Sequence, residues 1–368
     1  MRTGIADLPL HGGRAPRWLF PRMVALGGAI AEVIVHEWSR EVLLERLADP
    51  FWLQCYGNVL GWDWDSSGMG PVVLGALKEA LRHRDVGLSV AGGKGRVARR
   101  SPDEIRALGA AFGLRDGSVE ALVRASKLSA KVDSAAVQDQ HRIYHHAFVL
   151  SEDGSWTVIQ QGMNPERGMA RRYHWYWREV SHFDEEPHAA ILGETLPTAL
   201  DMTARGSRAS RGASVELARE DPRRIARFLR SLREPGQSSL RAWTGEEDPF
   251  RAFAVPQGVN WEALGRTYEF QPESFEELLG VRGIGPATVR ALAYISAVIY
   301  GEEPSWSDPV RYSFALGGKD GVPYPVNREA MDETTHALAR GIEEARLGSR
   351  EKLRALQRLR ALLPQASP

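Results

Sequence analysis

Apolar positions recur at helical spacing over residues 23–48, where Leu26, Ile30, Val33, Ile34 and Leu44 fall on one side, and the pattern predicts helix there. Helical patterning returns over 70–83. Ser101 stands before Pro102, with Glu104 three positions on, which reads as a capping-box start for a helix SPDEIRALGAAFG. A further helix is expected at GSVEALVRASKLSAK, residues 117–131. The aromatic, glycine-rich stretch over 49–70 is too irregular for one element, and GLSVAGG at 87–93 reads as a short buried strand.

The period then changes from helical to alternating. Residues 143–150 and 155–161 carry β-branched and aromatic side chains on either side of SEDG, which predicts a hairpin turning at Asp153-Gly154. Strict alternation puts Ile143, His145, Ala147 and Val149 on one face, and Tyr144, His146, Phe148 and Leu150 on the other. Adjacent His145 and His146 therefore cannot enter one pocket if the strand is regular.

Residues 200–214, LDMTARGSRASRGAS, are small, polar and basic without apolar period, and read as a linker. Helices are expected beyond it at 215–233, 259–265, 273–280, 286–300 and 327–363. The predicted class is α+β: a mixed α/β domain over 1–199, the linker, then a helical domain over 215–368.

Composition narrows the classes. The 368 residues are 43% hydrophobic, enough for real cores, with no apolar run long enough to span a bilayer. The N-terminus lacks the layout of a signal peptide, and the single cysteine, Cys55, forms no internal disulfide. These features lead us to expect a soluble, cytoplasmic protein with no membrane partner. The formal net charge is zero, so nucleic-acid binding would have to come from local patches. Among 47 basic residues only 6 are lysine and 41 arginine, a bias that fits a GC-rich genome or a thermophile. Two of the surviving lysines, Lys127 and Lys131, immediately precede the histidine-rich stretch.

The clearest motif is FEELLGVRGIGPATVRAL at 275–292. A helix carrying Phe275, Leu278 and Leu279 runs into Gly283-Ile284-Gly285, and a second helix begins at Pro286. The glycines permit a tight turn, Ile284 plugs the gap between helices, and the second helix presents backbone N–H groups where positive partial charge gathers. This resembles the helix-hairpin-helix motif of DNA repair and replication proteins. The resemblance implies contact with a DNA backbone without sequence specificity through Gly283, Ile284 and Gly285, flanked by Thr288 and Arg290. An ordinary glycine-turned helical pair is the plainer alternative. In glycosylases built on this motif a catalytic aspartate follows the second helix, and GEEPSWSDPVRYSF offers Asp308 in that role. Asp308 equally suits a simple Asp-Pro turn.

Six of the ten histidines are His141, His145, His146, His174, His182 and His188, near Asp133, Asp139, Gln160 and Gln161. Carboxylates and imidazoles can hold a divalent cation, Mg²⁺ or Mn²⁺, that activates water against a phosphodiester while a lysine offsets developing charge. On this reading Lys131, Asp133, Asp139, His145, His146 and Gln160 are the candidate catalytic set, with Asp133, Asp139 and His145 as metal ligands. A restriction-type nuclease core would need an acid on the second strand, where this chain has Gln160 and Gln161. The same residues also fit a buried polar network. SVAGGKGRVARRS at 89–101 offers Lys94 and Arg96 to a phosphate without Walker A spacing, and RRYHWYW at 171–177 offers Arg171 and Arg172 among aromatics.

Several blocks, TGIADLPLHGG (3–13), APRWL (15–19), DPFW (49–52), AGGKG (91–95), KVDSAAVQD (131–139), YHHAF (144–148), QQGMN (160–164) and ARRYHW (170–175), resemble an archaeal and bacterial family common in thermophiles and defined only as a domain of unknown function. The resemblance spans nearly the full chain and implies no particular reaction. The residues themselves lead us to expect a DNA repair or processing protein: a metal-dependent nuclease gripping DNA through the hairpin, with a homo-oligomer or a repair protein as further partner. A glycosylase using Asp308 and a non-catalytic DNA-binding or scaffold protein are the alternatives.

Overall fold

A computed structural model describes residues 8–10, 15–62, 67–231 and 258–310. Its centre is an antiparallel five-stranded sheet in the order β1-β3-β4-β5-β6: β1 (Leu88–Lys94), β3 (Arg142–Ser151), β4 (Trp156–Asn164), β5 (Met169–Tyr176) and β6 (Ala190–Leu192). The short strands β2 (Val137–Gln138) and β7 (Leu200–Asp201) pair separately. The class is α+β, as the mixed periodicities require. The expected hairpin forms between β3 and β4, closing on Leu150 opposite Trp156 with Gly154 at a φ of 89° in the turn.

Alternation sends the two faces of the sheet into different cores. Val90, Ala147, Val149 and Ile159 pack beneath α1 (Phe20–Glu37), α2 (Arg40–Ala48), α3 (Pro50–Val59) and α4 (Met69–Leu81). Ala91, Phe148, Leu150, Val158 and Trp175 face α5 (Ser101–Ala111), α6 (Asp116–Lys131) and the later helices. The single helix expected over 23–48 is two, because Ser39 turns extended and its hydroxyl caps Val42 N–H at 3.2 Å. Part of the stretch expected to be irregular is helix α3, started by Asp49 accepting from Phe51 N–H and by Pro50 in the first turn. The expected capping box at Ser101 does not form. Ser101 Oγ donates to the Ala98 carbonyl, while Glu104 accepts from Gly92 N–H and from Lys78.

One departure from strict alternation matters to the chemistry. The β3–β4 register shifts between Ile143 and His145, a bulge at Tyr144. The bulge swings Tyr144 to the face of Gln161, which donates to its hydroxyl, and not to the face of His146 as regular pleating predicts.

The expected linker is not one. Residues 200–214 form β7, a turn and most of α7 (Arg208–Ala218), and Asp201, Ser207, Ser210, Arg211 and Ser214 are buried. Part of their polarity is satisfied internally: Arg211 donates to the Met202 and Ala204 carbonyls and pairs with Glu185 at 2.6 Å, and Ser207 Oγ donates to Asp201 O, while the Ser210 and Ser214 hydroxyls find no partner among the described residues. Small polar residues here serve close packing. Beyond α8 (Pro222–Ser231) come α9 (Trp261–Phe270), α10 (Phe275–Gly280) and α11 (Pro286–Ile295). Phe275, Leu278, Ile284, Val289 and Leu292 share one apolar cluster with Phe148, Trp156 and Trp175 of the sheet. Each such side chain contributes about 1.5–3 kcal/mol by burial, so the cluster binds the helices to the sheet across the expected domain boundary. The helix expected at 327–363 lies outside the described residues.

Candidate nucleic-acid interface

The hairpin between α10 and α11 has the geometry its sequence predicts. Ile284 is fully buried between the helices, and Gly283 sits at a φ of 95°, where a Cβ would meet Asn260, Ala263 and Arg266 within 3.1 Å. Ile284 N–H closes the turn on the Val281 carbonyl at 3.1 Å. Among the described residues the N–H groups of Gly283, Gly285 and Ala287 have no hydrogen-bond partner. Among the described residues, nothing beyond its own chain neighbours lies within 4 Å of where a Gly285 side chain would start. Three donors thus stand open at the start of a ten-residue helix. Thr288, expected as a phosphate partner, is buried, and its hydroxyl accepts from Asn260 N–H at 3.3 Å. Arg290 is half-buried beside the opening.

Two contacts lock the hairpin to the sheet side of the molecule. Lys131 at the end of α6 donates to the Ile284 carbonyl, and burial lowers its pKa. Gln138 Nε2 donates to the Pro286 carbonyl at 2.8 Å. Lys131 therefore positions the hairpin and stands apart from the carboxylates it was expected to assist. On one side of the hairpin lies a groove of about 1310 Å³ between α6 and α9–α10, lined by Arg99, Arg124, Lys127, Lys131 and Arg266 together with Glu120, Glu276 and Glu277. Glu120 is bound to Arg106, so part of that negative charge is already answered. On the other side is a cleft of about 510 Å³ against Pro286, Ala287 and Arg290. Ser134 borders both. Lys94 and Arg96 are exposed at the end of β1 and on the turn after it, with Lys94 Nζ 5.8 Å over the Tyr144 ring.

The expected catalytic set does not converge. Asp133, His146 and Gln160 share the face toward α6. Gln160 Nε2 and Trp175 Nε1 donate to Asp133 Oδ2, and His188 Nε2 lies 2.5 Å from Oδ1. Because Gln160 turns its amide nitrogen to Asp133, its carbonyl faces His146 Nδ1 at 2.9 Å, and that nitrogen must carry the proton. His146 Nε2 then accepts from Ser126 Oγ at 2.9 Å. The chain Ser126–His146–Gln160–Asp133–His188 has each of these donors and acceptors assigned and is buried throughout. Burial raises the Asp133 pKa, opposed by the bonds from His188 and Trp175.

Asp139 belongs to a second network. Its carboxylate accepts from Tyr173 at 2.6 Å, from Arg171 at 2.9 Å and from His141 N–H at 3.0 Å. Burial alone would raise its pKa; the Arg171 guanidinium and the His141 and Tyr173 contacts bring it down to about 2. Arg171 also grips Asp308 with two bonds, at 2.9 and 2.7 Å. Asp308 additionally accepts from the backbone N–H of Leu196 and Val310. The glycosylase assignment therefore fails on geometry, since this carboxylate is spent on four donors inside the protein.

His145 lies on the opposite face of the sheet from Asp133, in a row Lys94–His145–Gln161–Arg172 across four strands. The expected ligand His145 is thus separated by the sheet from Asp133 and Asp139, and the three do not come together. Among the described residues no group of three metal-ligating side chains comes together. His145 is buried with neither ring nitrogen hydrogen-bonded, and burial with the neighbouring His146, Arg172 and Lys94 lowers its pKa to about 3. Arg171 and Arg172, expected to clamp phosphates, are fully buried and serve the interior. Composition could not show this, because arginine among aromatics describes a packed sheet face as well as a binding strip. The sequence does not single out Ser126, and it places His188 in the histidine cluster without a role, because no fixed spacing links them to His146 and Asp133.

No helix among the described residues is long and apolar enough to cross a membrane. No curated protein and no solved structure matches the chain. A family model matches residues 4–326, and the chain belongs to that family, described as a protein of unknown function, DUF763.

Proposed function

We propose that the protein binds duplex DNA through its sugar-phosphate backbone, without reading sequence, at the Gly283–Gly285 hairpin. The observation that carries this reading is the set of open N–H groups at Gly283, Gly285 and Ala287 over a buried Ile284. Backbone amides at a helix start suit one phosphate, and the adjoining groove bearing Arg99 and Lys127 supplies positive charge for further phosphates. The absence of sequence preference follows from donors that meet only phosphate. The reading stops at binding, because the carboxylates expected to hold a metal against a phosphodiester, Asp133 and Asp139, are committed to interior partners.

The test is fluorescence anisotropy with two labelled duplexes of unrelated sequence over a series of KCl concentrations. Wild type binds both alike, with affinity falling as salt rises. Gly285 has an ordinary φ of −135° and open space, so Gly285→Asp keeps the fold while placing a carboxylate at the amides. That variant weakens binding at least about tenfold, corresponding to 1.4 kcal/mol. Unchanged binding by Gly285→Asp removes the hairpin from the interface, and salt-independent or sequence-selective binding overturns the mode.

A further inference from the structure

Resting on the hairpin reading, we propose that the cleft beside the hairpin is a pocket for a single nucleotide unit. Its phosphate lies at the α11 start, and its base lies against His141. The cleft is bounded by Gln138–Arg142 on one wall, Asn164–Glu166 on another and Pro286, Ala287 and Arg290 on the third. Its volume of about 510 Å³ lies in the range of small-ligand sites.

Three independent features point to a ligand. First, the N–H of Ala287 opens the ten-residue helix α11 at the cleft wall with no partner among the described residues. Second, His141 has a fully buried side chain, and its Nε2 has no hydrogen-bond partner among the described residues. Its Nδ1 lies 2.8 Å from the Asp139 carbonyl, which only accepts, so Nδ1 carries the proton. In the neutral ring Nε2 is therefore an acceptor, suited to an exocyclic amine or ring N–H of a base. Third, two cations at the cleft have no ion pair among the described residues: Arg142 is exposed, and Arg290 keeps a buried Nε that lacks a partner there. The negative groups here are Asp139, already bound by Arg171 and Tyr173, and Glu166 at the rim. Gln140 reaches a φ of 65° in the turn that delivers His141 to this wall.

The unit could come from a DNA strand or from a free nucleotide, and the experiment separates the two. Titration calorimetry with dAMP measures the pocket alone. Duplexes with 2-aminopurine at a strand end or at an internal position report a base entering it, and a plain labelled duplex measures the hairpin. Wild type binds dAMP. His141→Ala weakens that binding at least about tenfold and leaves plain-duplex affinity within about threefold. Arg142→Glu, at an exposed and unpaired position, does the same without disturbing the core. A 2-aminopurine response at the strand end or internally, lost in His141→Ala, assigns the unit to DNA; dAMP binding without either response assigns it to a free nucleotide. Absence of dAMP binding at millimolar concentration, or dAMP binding indifferent to both variants, sinks the pocket while duplex binding leaves the hairpin standing. Conversely, His141-dependent dAMP binding without duplex binding keeps the pocket and removes the hairpin reading.

Discussion

Arg171 and Asp308, 137 residues apart in the chain, meet through two parallel hydrogen bonds with both side chains sealed from solvent. Arg171 holds Asp139 as well, so one guanidinium balances two carboxylates. Removing Asp308 leaves Arg171 paired with Asp139 but takes the acceptors from two guanidinium N–H groups in a buried site. Asp308→Ala is expected to cost about 3–5 kcal/mol of stability in urea unfolding. A loss under about 1 kcal/mol would show that the pair is solvated after all.

Acid should act on this protein first through histidine. The His145 pKa in the folded state is about 3, below its ordinary 6.5, so the unfolded chain takes up the proton first. The contribution of this site is intact above about pH 6.5 and declines toward pH 3, by about 1.4 kcal/mol per pH unit. Asp139 works lower, where its contribution holds above about pH 3.8 and is lost as pH falls toward 2. His145→Leu is expected to flatten the decline between pH 6 and 4 by one proton's worth. Parallel stability curves for wild type and variant would refute this.

The direction of the Gln160 amide is open to a direct test. Gln160→Glu replaces the donor facing Asp133 with an oxygen, setting two carboxylates against each other in a buried site. The variant should lose about 2 kcal/mol or more at pH 8. The gap to wild type should narrow as pH falls, because the introduced acid has a raised pKa and gains a proton. A constant gap across pH would mean the amide is reversed or the network is open to water.

Much of the fold was legible because it rests on local rules. The β3–β4 hairpin followed from alternation and the Asp153-Gly154 turn, and the α10–α11 hairpin from two glycines around Ile284. What local rules missed was decided by distant partners. Residues 200–214 look like a linker until Glu185 and Ser305 supply the bonds that bury them. The polar residues are close together along the chain, yet their assembly into two networks on one face, with His145 on the other, depends on strand pairing and on the bulge at Tyr144. A carboxylate awaiting a metal and one filled by Trp175, His188 and Gln160 read the same as letters.

The turn at Gln140 carries a measurable cost. A non-glycine residue at a φ of 65° pays about 1–2 kcal/mol for its backbone. Gln140→Gly is expected to raise stability by about 0.5–1 kcal/mol in thermal or urea unfolding, after glycine's greater freedom in the unfolded chain is offset. A destabilised variant would show that the side chain holds the turn.

Ile284 is rooted in the same packed interior as Phe148 and Trp175. A force applied at the Gly283–Gly285 bend therefore passes into β3 and β5 with no hinge in between, since close-packed side chains transmit strain and do not absorb it. A ligand seated at the bend therefore meets a surface that does not yield, and any adjustment of shape falls on the ligand.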